Sequence, residues 1–128
     1  MFYVLNLTTC QWSAMRNDEV PEMDDFAHHF DEATETLWTF GGYMNGKKTN
    51  ALLKIDVNNR DIQVVSPDIP EWNVVKARNV PCHRTGARMV YVAKQNSLYI
   101  FGGLNLINST LNDMWRYRID TNKWELIA

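Results

Sequence analysis

His28 adjoins His29, and Cys82 adjoins His83; these four are the residues whose chemistry would suit a metal ion. Their spacing follows no metal-site pattern. Successive side chains on a strand point to opposite faces, so a strand through His28 and His29 separates the two imidazoles. One is then expected to pack and the other to lie at a polar interface. Asp18, Glu19, Glu22, Asp24 and Asp25 form an acidic run. Asp24 and Asp25 adjoin, but their disposition gives no acid and base assignment, and a solvated loop is the simpler reading. No serine nucleophile elbow, glycine-rich phosphate loop or carboxylate pair with supporting context occurs. The expectation is a chain with no catalytic residue, metal ligand or cofactor, whose chemistry is that of a binding surface.

A repeated unit must position any such surface. LWTFGG at residues 37–42 recurs as LYIFGG at 98–103, and these two glycine pairs hold four of the six glycines. Self-similarity at a long period changes the whole fold expectation. After each pair comes a polar loop and then an alternating strand: Ala51, Leu53, Ile55 and Val57 in one copy, Trp115, Tyr117 and Ile119 in the other. A period of two with one apolar face marks a half-buried strand. Asp and Asn clusters follow, at 56–59 and 120–122, where side chains that bond their own backbone favour turns. A last short strand begins near Ile62 in one copy and at Trp124 in the other.

The opening residues repeat the second half of this unit. Tyr3, Leu5 and Leu7 alternate, and Trp12 follows Tyr3 by the same interval that separates Trp124 from Trp115. An apolar segment before each glycine pair, 26–30 and 88–93, completes four strands per unit. The sum is ten strands, with a hairpin loop rather than a helical turn at 31–36.

Size and composition agree with an all-β soluble fold. The 128 residues are 45% apolar and 22% charged, with a formal charge of −2. That balance offers no basic footprint for nucleic acid. Apolar stretches are too short for a membrane-spanning helix or a signal-peptide core. Two distant cysteines argue against a disulfide framework, which suits a cytoplasmic or nuclear setting. The sequons at Asn6 and Asn108 are expected by chance among thirteen asparagines, although they would carry glycan on a secreted protein.

An apolar run ending in Gly-Gly, an alternating strand, an Asp-bearing turn and a later Trp together resemble the kelch repeat. Pro81, Arg84 and Gly86 are similar to the lead-in to the innermost strand of such a blade, with Ala87 where histidine is usual. The first copy departs by carrying Ile62 in place of the Trp and by lacking the Arg-Gly lead-in. The resemblance implies kelch-type β-propeller blades: four-stranded antiparallel meanders at 26–66 and 84–128, and the outer strand pair of a further blade at 1–15. Four-stranded sheets apolar on both faces need radial neighbours. A ring so incomplete needs blades from the same or another chain, and the 128 residues read as a fragment. Two uncovered blade faces forfeit on the order of 10 kcal/mol, so the isolated chain is expected to be marginal or to associate.

Function follows from geometry and from the resemblance. Loops at 43–49 and 104–112 and links at 16–25 and 67–83 emerge on one face, where a rigid scaffold tends to carry recognition residues. Tyr43 and Asn105 lie in these loops, and Trp72 lies in the second link, as an exposed anchor or as cover for a sheet edge. Kelch proteins often grip acidic or carboxylate-ended peptides with arginines near the channel rim, a task that suits the guanidinium fork. The resemblance carries that role to Arg84 and strand direction extends it to Arg88, against the alternative of a loop brace. A binding Arg84 could be replaced by Ala without loss of melting temperature. The resemblance thus implies a protein-protein interaction module with a protein or peptide partner, an acidic one included. It would serve as a substrate-recognition part of a ubiquitin ligase or as a cytoskeletal or signalling scaffold. A kelch-fold oxidase or specifier-type enzyme and an extracellular adhesion propeller are the alternatives.

Overall fold

The computed structural model describes residues 2–15, 21–68 and 79–128. Two four-stranded antiparallel sheets dominate it. In the first, β4 (Ala27–Asp31), β5 (Thr36–Phe40), β8 (Leu52–Asp56) and β9 (Asp61–Ser66) lie side by side in that order. The second holds β10 (Arg88–Val92), β11 (Ser97–Leu104), β12 (Thr110–Arg118) and β13 (Lys123–Leu126). A two-stranded sheet of β1 (Phe2–Asn6) and β2 (Gln11–Met15) stands beside the first. These are the ten strands that the repeat predicts, arranged as kelch-type blades.

Three more strands make a small sheet that periodicity did not predict. β6 (Tyr43–Met44) and β7 (Lys47–Lys48) form a hairpin, and β3 (Met23–Asp24) pairs with β6. Residues 43–49, expected as a loop, are therefore largely a ribbon. Two-residue strands carry too few side chains for a period to be visible. In the second blade the corresponding connection narrows to 105–109, because β11 and β12 run on past a bulge between Phe101 and Gly103.

The registers align the repeats residue by residue. Phe40 faces Leu52 and Leu37 faces Ile55, whereas Phe101 faces Met114 and Leu98 faces Tyr117. Ile55 then faces Ile62, Tyr117 faces Trp124, and Leu5 faces Trp12. The three outer hairpins share one turn. Each closes on a residue with positive φ, namely Cys10, Arg60 and Asn122. Local polar side chains hold the turns: Asn6 Oδ1 accepts the Thr8 N–H at 2.9 Å, and Asp56 Oδ1 accepts that of Asn59 at 3.0 Å. The hydrogen bonds from Asn59 hold the Asp56 carboxyl below its ordinary range.

The core lies between the two complete blades. Ala27, Trp38, Phe40 and Leu52 of the first pack against Met89, Leu98, Ile100, Trp115 and Tyr117 of the second. Trp124 closes this seam from the outer strand. Its ring meets Phe40 edge-on at 5.1 Å and Tyr117 at 5.0 Å, and its indole N–H reaches Ser66 Oγ at 3.3 Å. At the inner edge His29 packs on Tyr91 at 5.4 Å. Burial of Tyr117 pushes its hydroxyl up to about 12, so it stays neutral. The strand pair β1–β2 is tied to the first blade by Arg60, which donates to the Ala14 carbonyl at 2.6 Å and to Ser13 Oγ at 3.2 Å.

The repeated glycines are explained by close backbone approach. Gly42 has φ +81°, and a Cβ there would collide with the Asp24 carbonyl oxygen and lie 2.8 Å from Phe26 Cα. Gly103, at the matching place, has φ +101° and Thr85 O at 2.6 Å. In both blades the second glycine thus lets the lead-in to the innermost strand lie against the end of the second strand.

Candidate protein-binding face

The connections between second and third strands meet the inter-blade links on one side of the sheets. The Asn45 N–H donates to Glu22 O at 2.8 Å, and the Glu22 N–H donates to Asn45 Oδ1 at 3.1 Å, which fixes the β6–β7 ribbon to the first link. The second link is clamped at both ends by Asp68. Its Oδ1 accepts from Thr49 Oγ1 at 2.6 Å and from the Asn50 N–H at 3.2 Å, and stands 3.3 Å from His83 Nε2. Asn50 Nδ2 donates to Pro81 O at 3.1 Å. His83 is thereby a buried linker clamp. His28 is exposed and meets Phe26 edge-on, and His29 packs as described. Among the described residues no three metal-ligating side chains converge.

Arg84 departs from the expectation of a peptide-gripping residue. It is 0% exposed. Its guanidinium forks onto Asp113, Nη1 to Oδ1 at 2.6 Å and Nη2 to Oδ2 at 2.8 Å, while Nη1 also reaches Gly102 O at 3.1 Å. Nε donates to Cys82 O at 3.1 Å, and Nη2 approaches Cys82 Sγ at 3.3 Å. The main chain of Arg84 joins the blades, accepting the Gly42 N–H at 2.7 Å and donating to Thr49 O at 3.3 Å. With its donors so committed, Arg84 is a brace. The buried guanidinium cannot meet an acidic peptide.

Asn105 also has a different role from the one expected. Its Oδ1 accepts the N–H groups of Ile107 at 3.1 Å and Ser109 at 3.0 Å, so the residue shapes its loop. Lys48 crosses from the neighbouring ribbon and donates through Nζ to Asn105 O and to Asn108 Oδ1, both at 2.7 Å. Sequence reasoning missed Lys48, because nothing in a Lys-Lys pair shows that one member bridges two blades. The loop so fixed carries Ile107 at 80% exposure, with Leu106 and Leu104 also exposed. Tyr43 is exposed on the ribbon, 5.9 Å from Lys48 Nζ measured to the ring centre. Beside it lies an open cleft of about 390 Å³ lined by Glu22, Met23, Asp24, Tyr43 and Gly46. Arg88 opens β10 at the inner edge and is exposed, opposite Phe101 in register. Trp72 lies outside the described residues.

A family model described as the KLHDC2/KLHL20/DRC7 Kelch-repeats domain matches residues 1–128. The chain belongs to the kelch-repeat family. No curated protein matches it. Kelch-repeat domains are in general non-enzymatic interaction domains.

Within this kelch domain the two complete blades solve one packing problem differently. The registers place Met23 where the second blade has Arg84, and Ala51 where it has Asp113. A charged pair in one blade thus corresponds to two apolar residues in the other. This joint change is the signal from which Asp113 could have been found.

Lys48→Met should release the 105–109 loop. The amides of Ile107 and Ser109 are expected to exchange with solvent several-fold faster, and stability to fall by about 1 kcal/mol per lost hydrogen bond at most. Hydrogen exchange read at single residues checks this. Unchanged protection would remove Lys48 from the account of loop rigidity.

Proposed function

We propose that this kelch domain is a protein-recognition module whose contact surface is the 105–109 loop together with the Tyr43 ribbon. Ile107 supports the reading most directly. A large aliphatic side chain left 80% exposed on a loop pinned by Asn105 and Lys48 loses little conformational freedom when it inserts into a partner. Tyr43 adds an aromatic group of the kind enriched at interface hot spots. The adjoining cleft is lined by Glu22 and Asp24, so a partner presenting an apolar side chain flanked by a basic or neutral one fits better than an acidic peptide. Arg88 is the cation that would serve an acidic contact nearer the inner edge.

Substrate recognition within a ubiquitin ligase and scaffolding of cytoskeletal or signalling proteins would use the same surface. Recovery of ligase subunits with the full-length product would favour the former. The face itself is tested by panning a displayed peptide library on the domain. Enriched sequences should share an apolar anchor, and Ile107→Asp should weaken them at least about tenfold while leaving the urea midpoint unchanged. Enrichment indifferent to Ile107→Asp and Tyr43→Ala would refute the reading.

A further inference from the structure

Asn45 and Gly46 form the tip of the β6–β7 ribbon. Of the thirteen asparagines in the chain, Asn45 is the one that a glycine follows. Both residues are exposed and have positive φ, +52° and +82°, as a two-residue hairpin turn requires. The hairpin has two pairs, Tyr43 with Lys48 and Met44 with Lys47, and a ladder so short opens readily. Gly46 has no side chain, and nothing lies within 4 Å of where a Cβ would stand, so its backbone nitrogen has no steric cover. The Glu22 N–H donates to Asn45 Oδ1 at 3.1 Å. That bond draws charge from Cγ and sets a donor where an oxyanion would form.

We propose that Asn45 is a self-modifying site that converts to isoaspartate and thereby releases the ribbon from the first link. When the hairpin opens, the Gly46 amide nitrogen gives up its proton and attacks Asn45 Cγ. The Cγ–Nδ2 bond breaks, Nδ2 takes a proton and leaves as ammonia, and a cyclic imide remains. Water then opens the imide at either carbonyl. Attack at Cγ leaves aspartate, whereas attack at the α-carbonyl leaves isoaspartate, in which the chain runs through Cγ and the α-carboxylate stands free. The sum consumes a water and releases ammonia, with no oxidant or other reactant. The lengthened main chain does not fit a two-residue turn, so the Asn45 N–H bond to Glu22 O at 2.8 Å and the pairing of Met44 with Lys47 are lost. Either product also adds a negative charge near Glu22 and Asp24, which repels the link. The chemistry needs no partner; an effect on recognition through Tyr43 rests on the contact surface proposed above.

Incubation of the full chain at mildly alkaline pH provides the test. Peptides are mapped by mass spectrometry, and isoaspartate is labelled with an isoaspartate-specific methyltransferase. Label should accumulate at position 45 about tenfold faster than at Asn96 or Asn108, each followed by serine, because only glycine leaves the attacking nitrogen uncovered. The rate should rise with pH, since that nitrogen must lose its proton. Gly46→Ala should slow the reaction about tenfold. Because alanine strains the turn, Asn45→Gln is the second variant: its longer side chain closes a ring slowly, and label at this site should vanish. In the modified fraction, separated by its added charge, the amides of Tyr43 and Met44 should exchange with solvent several-fold faster. None of these readouts involves a partner, so failure of the contact surface would leave them unmoved. Label no faster at position 45 than at Asn96 and Asn108, a rate indifferent to both substitutions, or unchanged exchange in the modified fraction would overturn the proposal.

Discussion

Arg84→Ala is expected to lower the unfolding free energy by about 3 kcal/mol, the low end of the range for breaking a buried ion pair from one side, because the Asp113 side chain left unpaired is 26% exposed. The carboxylate of Asp113 would lose both of its guanidinium bonds, and the Gly102 and Cys82 carbonyls would lose the donors that now reach them. This reverses the expectation that the change would spare the melting temperature. The first blade suggests the compensating experiment, because it carries Met23 and Ala51 at the matching positions. Arg84→Met combined with Asp113→Ala should recover most of the loss, since replacing a whole buried pair by apolar groups is often close to neutral. The residual cost should be about 1 kcal/mol, for the Trp115 indole N–H that now donates to Asp113 at 2.8 Å. Urea titration followed by tryptophan fluorescence measures all the variants. A double variant no better than Arg84→Ala would dissolve the idea that the blades use alternative solutions to one contact.

The same pair sets an acid limb. Burial raises the Asp113 pKa, but hydrogen bonds from Arg84 and Trp115, together with the Arg84 charge, outweigh it and hold the carboxyl below the usual carboxylate range. A depressed folded-state pKa contributes stability that is fully present above the unfolded value and is lost as pH falls through the folded value. The wild type should therefore lose stability below about pH 4 more steeply than the double variant.

Gly42→Ala should be similarly damaging, costing about 3 kcal/mol or preventing folding. Positive φ at an alanine costs roughly 1–2 kcal/mol, and the added methyl meets backbone atoms of Asp24 and Phe26, which cannot swing aside as a side chain could. Opening that contact would also disturb the Gly42 N–H bond to Arg84 O, and with it the seam between blades. Gly46→Ala is the control. It has φ +82° with nothing within 4 Å of the added carbon, so only the conformational part of the cost applies. Equal losses at the two sites would show that close packing is not what the glycine pair provides.

The repeat made the fold legible. Hydrophobic alternation, the glycine pairs and the turn residues are local signals, and each reflects a constraint that acts within one hairpin. They placed the ten blade strands, with first-blade bounds shifted by a residue: the strand expected at 26–30 is Ala27–Asp31. The β3–β6–β7 ribbon escaped because its strands are too short to show a period. The site was less legible. Tyr43 is exposed as a contact residue must be, but Arg84 and Asn105 are bound up within the fold.

The sequence by itself determined which segments are the blade strands, how units repeat and where backbone must approach backbone, because these depend on neighbours along the chain and on the absence of a side chain. Tertiary structure alone decided what each polar group does. An arginine in a lead-in segment can face a ligand or a carboxylate from another strand, and only packing brings Asp113 within 2.6 Å of Arg84. The same is true of exposure: Phe40 and Phe101 are the same residue in the same repeat, yet Phe40 is buried against the second blade and Phe101 is exposed.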